Sequence, residues 1–252
     1  MRRMPLIATG MLVLGLLLPA AASAQAPPDP CLLIFEVEEA TIVGTDGNDT
    51  IRGTEGSDVI LAGAGNDVVW GLGGDDLICG GLGNDRIDGG SGSDFILGDT
   101  GETFLLGFPA GMNVPGGHDV LIGGDGDDAI AGEGGGDVIR AGAGNDFATG
   151  QMAKDVVDGD AGDDELFGGP ADDVVKGGDG SDTLVGNFGD DVLLGGKGDD
   201  RMTGDNPPPP FPVPTQAPSR DVCNGQQGTD FAVEETCEQE NQIELTGPFP
   251  EM

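Results

Sequence analysis

Aspartate recurs at every ninth residue through most of this 252-residue chain. From Gly44 onward the sequence divides into nonapeptides such as GTDGNDTIR, GTEGSDVIL and GGLGNDRID. Of seventeen such units, all but one have Asp at the sixth position, and all have an apolar residue at the eighth. Carboxylate oxygens are the ligands that hard cations such as calcium prefer. The spacing therefore predicts a series of repeated metal sites.

The same repeat predicts the elements that position these carboxylates. Glycine at the first, second and fourth positions permits positive φ angles and close backbone approach, so the first six residues can form a tight turn. The apolar eighth residue and its neighbours form a very short strand. Two nonapeptides then make one flat coil of eighteen residues, and coils stack by parallel pairing about 4.8 Å apart. The predicted fold is all-β, a parallel β-roll.

Calcium suits the gap between neighbouring coils. Turns on the same side of the roll lie one strand spacing apart, so an ion between them can take an Asp carboxylate and carbonyl oxygens from each. Calcium accepts six to eight oxygens at about 2.3–2.6 Å, whereas magnesium demands a smaller octahedral shell. Because each site needs two turns and the ends and defects lose ligands, we expect about ten ions.

The motif GGxGxDxUx, where U is a large apolar residue, resembles the RTX or hemolysin-type calcium-binding repeat over residues 44–203. The resemblance implies a parallel β-roll with calcium in its turns, and folding only on metal binding. It is closer to exported, cysteine-capped proteins of this type. The ligands it implies are Asp49, Asp58, Asp67, Asp76, Asp85, Asp94, Asp119, Asp128, Asp137, Asp146, Asp155, Asp164, Asp173, Asp182, Asp191 and Asp200.

Breaks in the repeat divide the chain into segments. The seventh unit begins at Gly98 and has Thr103 in place of Asp, after which the phase is lost until Val114. The sequence leaves open whether the blocks on either side form one rod. The expected segments are a signal peptide at 1–24, an N-terminal segment and cap at 25–43, repeat blocks at 44–106 and 114–203 separated by a loop at 107–113, a Pro-rich loop at 204–222, and a degenerate repeat with a C-terminal cap and tail at 223–252.

The net charge and the N-terminal sequence indicate what the protein binds and where it is expected to be found. The chain has 46 acidic and 10 basic residues, so its formal charge is −36, which argues against nucleic-acid binding because phosphates would be repelled. Residues 1–24 have the pattern of a secretory signal peptide, with Arg2 and Arg3 before an apolar stretch and ASA at 22–24. We expect cleavage after Ala24, secretion, and no membrane span in the mature chain.

The four cysteines fit an oxidising compartment. Three pairings are possible. We favour Cys31–Cys79 and Cys223–Cys237, because each pair then lies near one end of the repeat array.

Catalytic motifs are missing from the sequence. It contains neither HExxH nor GxSxG, and His118 is its single histidine. We therefore expect a non-enzymatic, secreted calcium-binding protein with a structural or surface-interaction role. The alternative is a non-catalytic remnant or accessory of an RTX-type exported enzyme, toxin or adhesin. The sequence identifies no protein or cell-surface glycan as a partner.

Overall fold

The computed structural model describes residues 40–99, 116–204, 221–227, 231–232 and 239–241. Within these ranges the regular secondary structure consists of β-strands. The described residues contain no helix long and apolar enough to cross a membrane. In chain order the strands are β1 (Ile42–Val43), β2 (Thr50–Arg52), β3 (Val59–Ala64), β4 (Val68–Gly73), β5 (Leu77–Leu82), β6 (Arg86–Ser91), β7 (Phe95–Leu97), β8 (Val120–Asp125), β9 (Ala129–Glu133), β10 (Val138–Ala143), β11 (Phe147–Gln151), β12 (Val156–Ala161), β13 (Glu165–Pro170), β14 (Val174–Asp179), β15 (Thr183–Phe188), β16 (Val192–Lys197), β17 (Arg201–Thr203), β18 (Val222–Gln227), β19 (Phe231–Ala232) and β20 (Gln239–Asn241). The predicted signal peptide at 1–24 lies outside the described residues.

The strands alternate between two parallel sheets of ten strands each. Odd-numbered strands form one sheet and even-numbered strands form the other, each in sequence order. Neighbours within a sheet are usually offset by eighteen residues, as in the pairing of Ile60 with Ile78. Each coil of the roll therefore consists of two nonapeptides, one in each sheet. The predicted parallel β-roll with eighteen residues per coil is confirmed.

The hydrophobic core is a narrow double column between the sheets. Eighth-position side chains from both sheets form it, and nearly all are completely buried, including Ile78, Leu121 and Leu166. Ile42 of β1 is partly buried and packs against the N-terminal end of the same column. Because each unit contributes about one large side chain, the apolar area buried per residue is small, and the core alone is a weak source of stability.

The first break in the repeat is longer than the expected loop at 107–113, which lies outside the described residues. β6 pairs directly with β8, and Ile87 lies opposite Leu121, an offset of 34 residues in place of eighteen. β7 pairs with β9 at the same offset. The extra residues lie between Asp99 and Gly116 in the sequence, outside the described residues. Because the flanking strands pair directly, no coil is left for the unit expected at 98–106, and the two blocks form one continuous roll.

A second break precedes β18. Leu193 lies opposite Cys223, an offset of 30 residues. Asp221 and Cys223 therefore occupy the sixth and eighth positions of a further unit, which corrects the expected end of the Pro-rich loop at residue 222. The degenerate repeat continues the odd-numbered sheet, because Ala232 of β19 lies opposite Met202.

Deleting residues 100–115 tests this assignment of the first break. The deletion joins Asp99 to Gly116 and creates the unit GDGGHDVLI, which is in phase with its neighbours. We expect the variant to keep its β-sheet circular dichroism and its free energy of unfolding within about 0.5 kcal/mol, because the strands on either side of the deletion pair directly with earlier strands of the roll.

An equal-length deletion of residues 123–138 is the control. It cuts through β8, β9 and β10 and leaves the following units out of phase, so cooperative unfolding should be lost. Equal damage from the two deletions would contradict the assignment.

Candidate metal sites in two rows of turns

The turns of the roll lie in two rows, one along each edge. We call the turns that lead into odd-numbered strands the odd row, and those that lead into even-numbered strands the even row. The odd row contains Asp58, Asp76, Asp94, Asp128, Asp146, Asp164, Asp182 and Asp200. The even row contains Asp49, Asp67, Asp85, Asp119, Asp137, Asp155, Asp173, Asp191 and Asp221. All sixteen predicted ligands thus fall in the turns.

A backbone hydrogen bond fixes each carboxylate after the first in its row. The N–H of Asp58 donates to Oδ1 of Asp76 at 2.8 Å, and the N–H of Asp76 donates to Oδ1 of Asp94 at 2.8 Å. The same link recurs at 2.7–3.0 Å along both rows, across both breaks as well. Each side chain is therefore held inside its turn instead of extending into water.

The other carboxylate oxygen, Oδ2, is buried and has no hydrogen-bond donor within the described part of the chain. This applies to Asp67, Asp76, Asp85, Asp94, Asp119, Asp128, Asp137, Asp146, Asp155, Asp164, Asp173 and Asp182. A buried charged oxygen without a partner costs free energy, because it has lost its water and gained nothing in exchange. A cation or a proton is needed to complete these turns.

Burial shifts the titration of these carboxyl groups. Desolvation is the largest cause, and it raises the pKa of Asp76 to about 6, of Asp128 to about 7, of Asp155 to about 8 and of Asp119 to about 9. Neighbouring aspartates in the row raise these values, while the backbone hydrogen bond lowers them. Negative charge in the rows is therefore unfavourable near neutral pH unless a positive ion compensates it.

The donor set fits a large oxygen-loving ion. Within the described ranges, no three side chains of His, Cys, Asp or Glu converge on one point. Each turn offers one sixth-position carboxylate together with its own carbonyl oxygens, so an ion would join two neighbouring turns of a row. Calcium tolerates such mixed, irregular oxygen shells, whereas magnesium demands near-octahedral geometry.

The first turn of each row differs from the rest. The N–H of Thr45 donates to Oδ2 of Asp49 at 2.6 Å, and the N–H of Thr54 donates to Oδ2 of Asp58 at 2.7 Å. The Thr45 hydroxyl also donates to Asp49 at 2.8 Å. In these two turns hydrogen bonds thus satisfy Oδ2, the oxygen that has no donor in the turns named above. Among the sixteen predicted ligands, Asp49 and Asp58 have the least need of a metal.

Three buried acids do not belong to the predicted set: Asp99, Glu133 and Asp221. Asp221 accepts a hydrogen bond from the N–H of Asp191 at 2.9 Å and so extends the even row. The spacing of Asp221 and Cys223 gives the signal that could have identified it. Asp99 accepts hydrogen bonds from the N–H groups of Gly117 and Gly134, both at 3.0 Å. It stands at a second position, which varies from unit to unit and has no regular acidic residue, so the repeat gave no signal for it.

Fifth-position acids lie on the outside of the turns. Asp75 and Asp127 are exposed, as their place in the repeat suggests. Each accepts a hydrogen bond from the next coil, Asp75 from the N–H of Ser93 at 3.0 Å and Asp127 from the N–H of Asn145 at 2.8 Å. These side chains link neighbouring turns by hydrogen bonds on the solvent-exposed side of the aspartate rows.

Comparison with known families agrees with this geometry. The model of the RTX calcium-binding nonapeptide repeat matches residues 43–78, 70–105, 116–148, 149–184 and 176–206, which together cover more than half of the chain. The gap between matches at 105 and 116 falls within the turn that contains the first break. No curated protein matches the chain. With its coils of two nonapeptides and its rows of buried turn aspartates, the chain belongs to the RTX calcium-binding nonapeptide repeat family.

Proposed function

We propose that this protein is secreted, folds when it binds calcium, and acts as a non-enzymatic structural or surface-interaction module. The observation that supports this most directly is the row of buried Oδ2 atoms without donors. Their desolvation opposes folding of the metal-free chain. A bound cation removes that cost at each turn.

Calcium would also act on the charge of the whole molecule. A formal charge of −36 opposes compaction by self-repulsion, and the narrow core offers little to offset it. Each calcium ion neutralises two charges and links two turns of one row. The binding free energy then becomes folding free energy, which keeps the chain unfolded where calcium is scarce and folds it where calcium is abundant.

About ten ions remain our expectation for the whole roll. The interior aspartates of both rows, such as Asp128, Asp146 and Asp155, would hold them through Oδ2, because Oδ1 already accepts the backbone hydrogen bond. Asp49 and Asp58 would contribute least, since threonine satisfies their Oδ2 atoms.

Secretion and disulfide bonding form the second part of the proposal. Cys79 and Cys223 are both buried, and neither is a free thiol. Cys79 lies on the outer face of the odd-numbered sheet beside Leu61 and Leu97, whereas Cys223 ends the core column. Their expected partners, Cys31 and Cys237, lie outside the described residues. Pairs Cys31–Cys79 and Cys223–Cys237 would close the two ends of the roll against fraying.

A calcium titration of the mature protein, followed by far-ultraviolet circular dichroism, tests folding on metal. We expect a cooperative gain of β-sheet signal with calcium and none with magnesium. In Asp164→Asn, which removes a buried ligand charge, the calcium midpoint should rise about tenfold. Glu165→Gln removes an exposed charge one residue away and is the matched control. A full β signal without metal at about pH 8 would rule out the proposal.

Protons and calcium should compete for the same oxygens, which predicts opposite pH dependences. The folded pKa values of about 6 to 9 exceed the unfolded value of about 3.9, so the folded chain binds more protons than the unfolded chain. Stability of the metal-free roll therefore falls as pH rises from about 4 through about 9. Without calcium we expect more β-sheet signal at about pH 5 than at about pH 8.

The calcium midpoint should move the other way and decrease as pH rises over this interval, because fewer protons must be displaced. Parallel titrations at several pH values, with a chelator control, measure both trends. A calcium midpoint that does not change with pH would show that the buried carboxyl groups are not the ligands.

Peptide mapping without reduction tests the proposed ends. The expected products link Cys31 with Cys79 and Cys223 with Cys237. Reduction should lower the free energy of unfolding of the calcium-loaded protein by about 2–4 kcal/mol per bond. Any other linkage would refute the proposed capping of the two ends.

A further inference from the structure

The two rows of turns are built from unlike sequences. Because alternate nonapeptides lie on opposite edges, this division is hidden along the chain and emerges only in the roll. In the odd row, every turn from Gly53 to Asp200 keeps glycine at its fourth position and has no inserted residues. Both breaks lie in the even row, one after Asp99 and one after Gly204.

Residues other than glycine have positive φ in both rows, but only the even row replaces a fourth glycine. In the even row, five residues other than glycine have positive φ, and they occupy four consecutive turns. They are Glu133 (75°), Gln151 (69°), Ala153 (78°), Ala171 (136°) and Asn187 (74°). In the odd row the corresponding residues are Leu72 (85°), Asp160 (68°) and Gln226 (66°), and none of them stands at a fourth position. A side chain in this region costs free energy unless its surroundings compensate.

The two alanines are the most unfavourable cases. Both replace the fourth glycine, in the turns that position Asp155 and Asp173. The φ of Ala171, 136°, lies in a region that only glycine ordinarily adopts. The nearest odd-row turns have Gly162 and Gly180 at this position, at 143° and 152°. The turn at Ala171 thus has nearly the φ of the equivalent glycine turns without the residue suited to it, whereas Ala153 adopts a different positive φ.

Even so, the even-row aspartates are positioned like those of the odd row. Oδ1 of Asp173 accepts the N–H of Asp155 at 2.8 Å, and Oδ1 of Asp164 accepts the N–H of Asp146 at 2.9 Å. The four carboxylates are all at most 3% exposed. The ligand oxygens are therefore equivalent, and the difference between the rows lies in the cost of forming the turn.

We infer that the two edges are two classes of calcium site, a tight class in the odd row and a weaker class in the even row between Asp137 and Asp191. The inference rests on the proposed calcium-dependent folding. Binding in the even row must also supply the strain of the turn, which lowers the apparent affinity by about tenfold for each strained turn. At intermediate calcium the odd row is cross-linked by metal, while the even row between Asp137 and Asp191 is not.

Relief of the strain is the first test. Isothermal titration of the mature protein with calcium should resolve two classes of sites. In the double variant Ala153→Gly with Ala171→Gly, the weak class should bind about tenfold more tightly, while the tight class stays unchanged. A single class in the original protein, or a double variant with unchanged affinities, would overturn the inference.

Matched ligand variants identify which edge is which. Asp146→Asn with Asp164→Asn alters the odd row, and Asp155→Asn with Asp173→Asn alters the even row in the turns that alternate with them. The first pair should remove ions from the tight class and the second from the weak class. Identical losses would overturn the inference.

The glycine variant decides the question if an Asn variant fails to fold, because it leaves every ligand in place. Absence of calcium binding in the original protein is a different outcome, which contradicts the proposed function itself.

Discussion

The structure depends on one kind of hydrogen bond that recurs along both rows. The backbone N–H of a turn aspartate donates to Oδ1 of the aspartate one coil further along. This bond draws the carboxylate into the turn and shields it from water. It uses only one of the two oxygens, so the other is buried without a donor in most turns. Local geometry thus creates a requirement for positive charge that only something from outside the chain can meet.

The apolar contacts of the roll add only a little stability for each coil. Each coil contacts only its neighbours, and each unit adds about one buried aliphatic side chain, such as Ile139 or Val175. Stability is then a sum of similar small terms along the axis. The threonine turns at Asp49 and Asp58 show the alternative solution, in which a backbone N–H donates to Oδ2, joined at Asp49 by the Thr45 hydroxyl. Ions inside and hydrogen bonds at the end are two answers to the same electrostatic problem.

The period of the sequence was sufficient to predict the strands, the core column and the turn aspartates, because each has a fixed place in the nonapeptide. The period of the sequence failed as a predictor where pairing between distant strands determines which residues form a coil. GDTGETFLL matches the repeat well enough to suggest a coil, yet Ile87 lies opposite Leu121 and leaves no room for it. Asp99 is buried by turns from two coils, Gly117 and Gly134, which no linear pattern connects. The inequality of the two edges was invisible for a related reason, since neighbours in sequence lie on opposite sides.

Because units alternate between the two edges, the edge on which a turn lies depends on whether an even or an odd number of units precedes it. Loss or gain of a single nonapeptide would transfer every later turn to the other edge, so regular glycine turns and strained alanine turns would change places. Loss or gain of two would only shorten or lengthen the roll. Both breaks in this chain lie inside turns and leave the alternation intact, since β8 and β18 remain in the even-numbered sheet. A lineage that keeps its edges distinct can therefore vary freely within turns, but it can change its length only by whole coils.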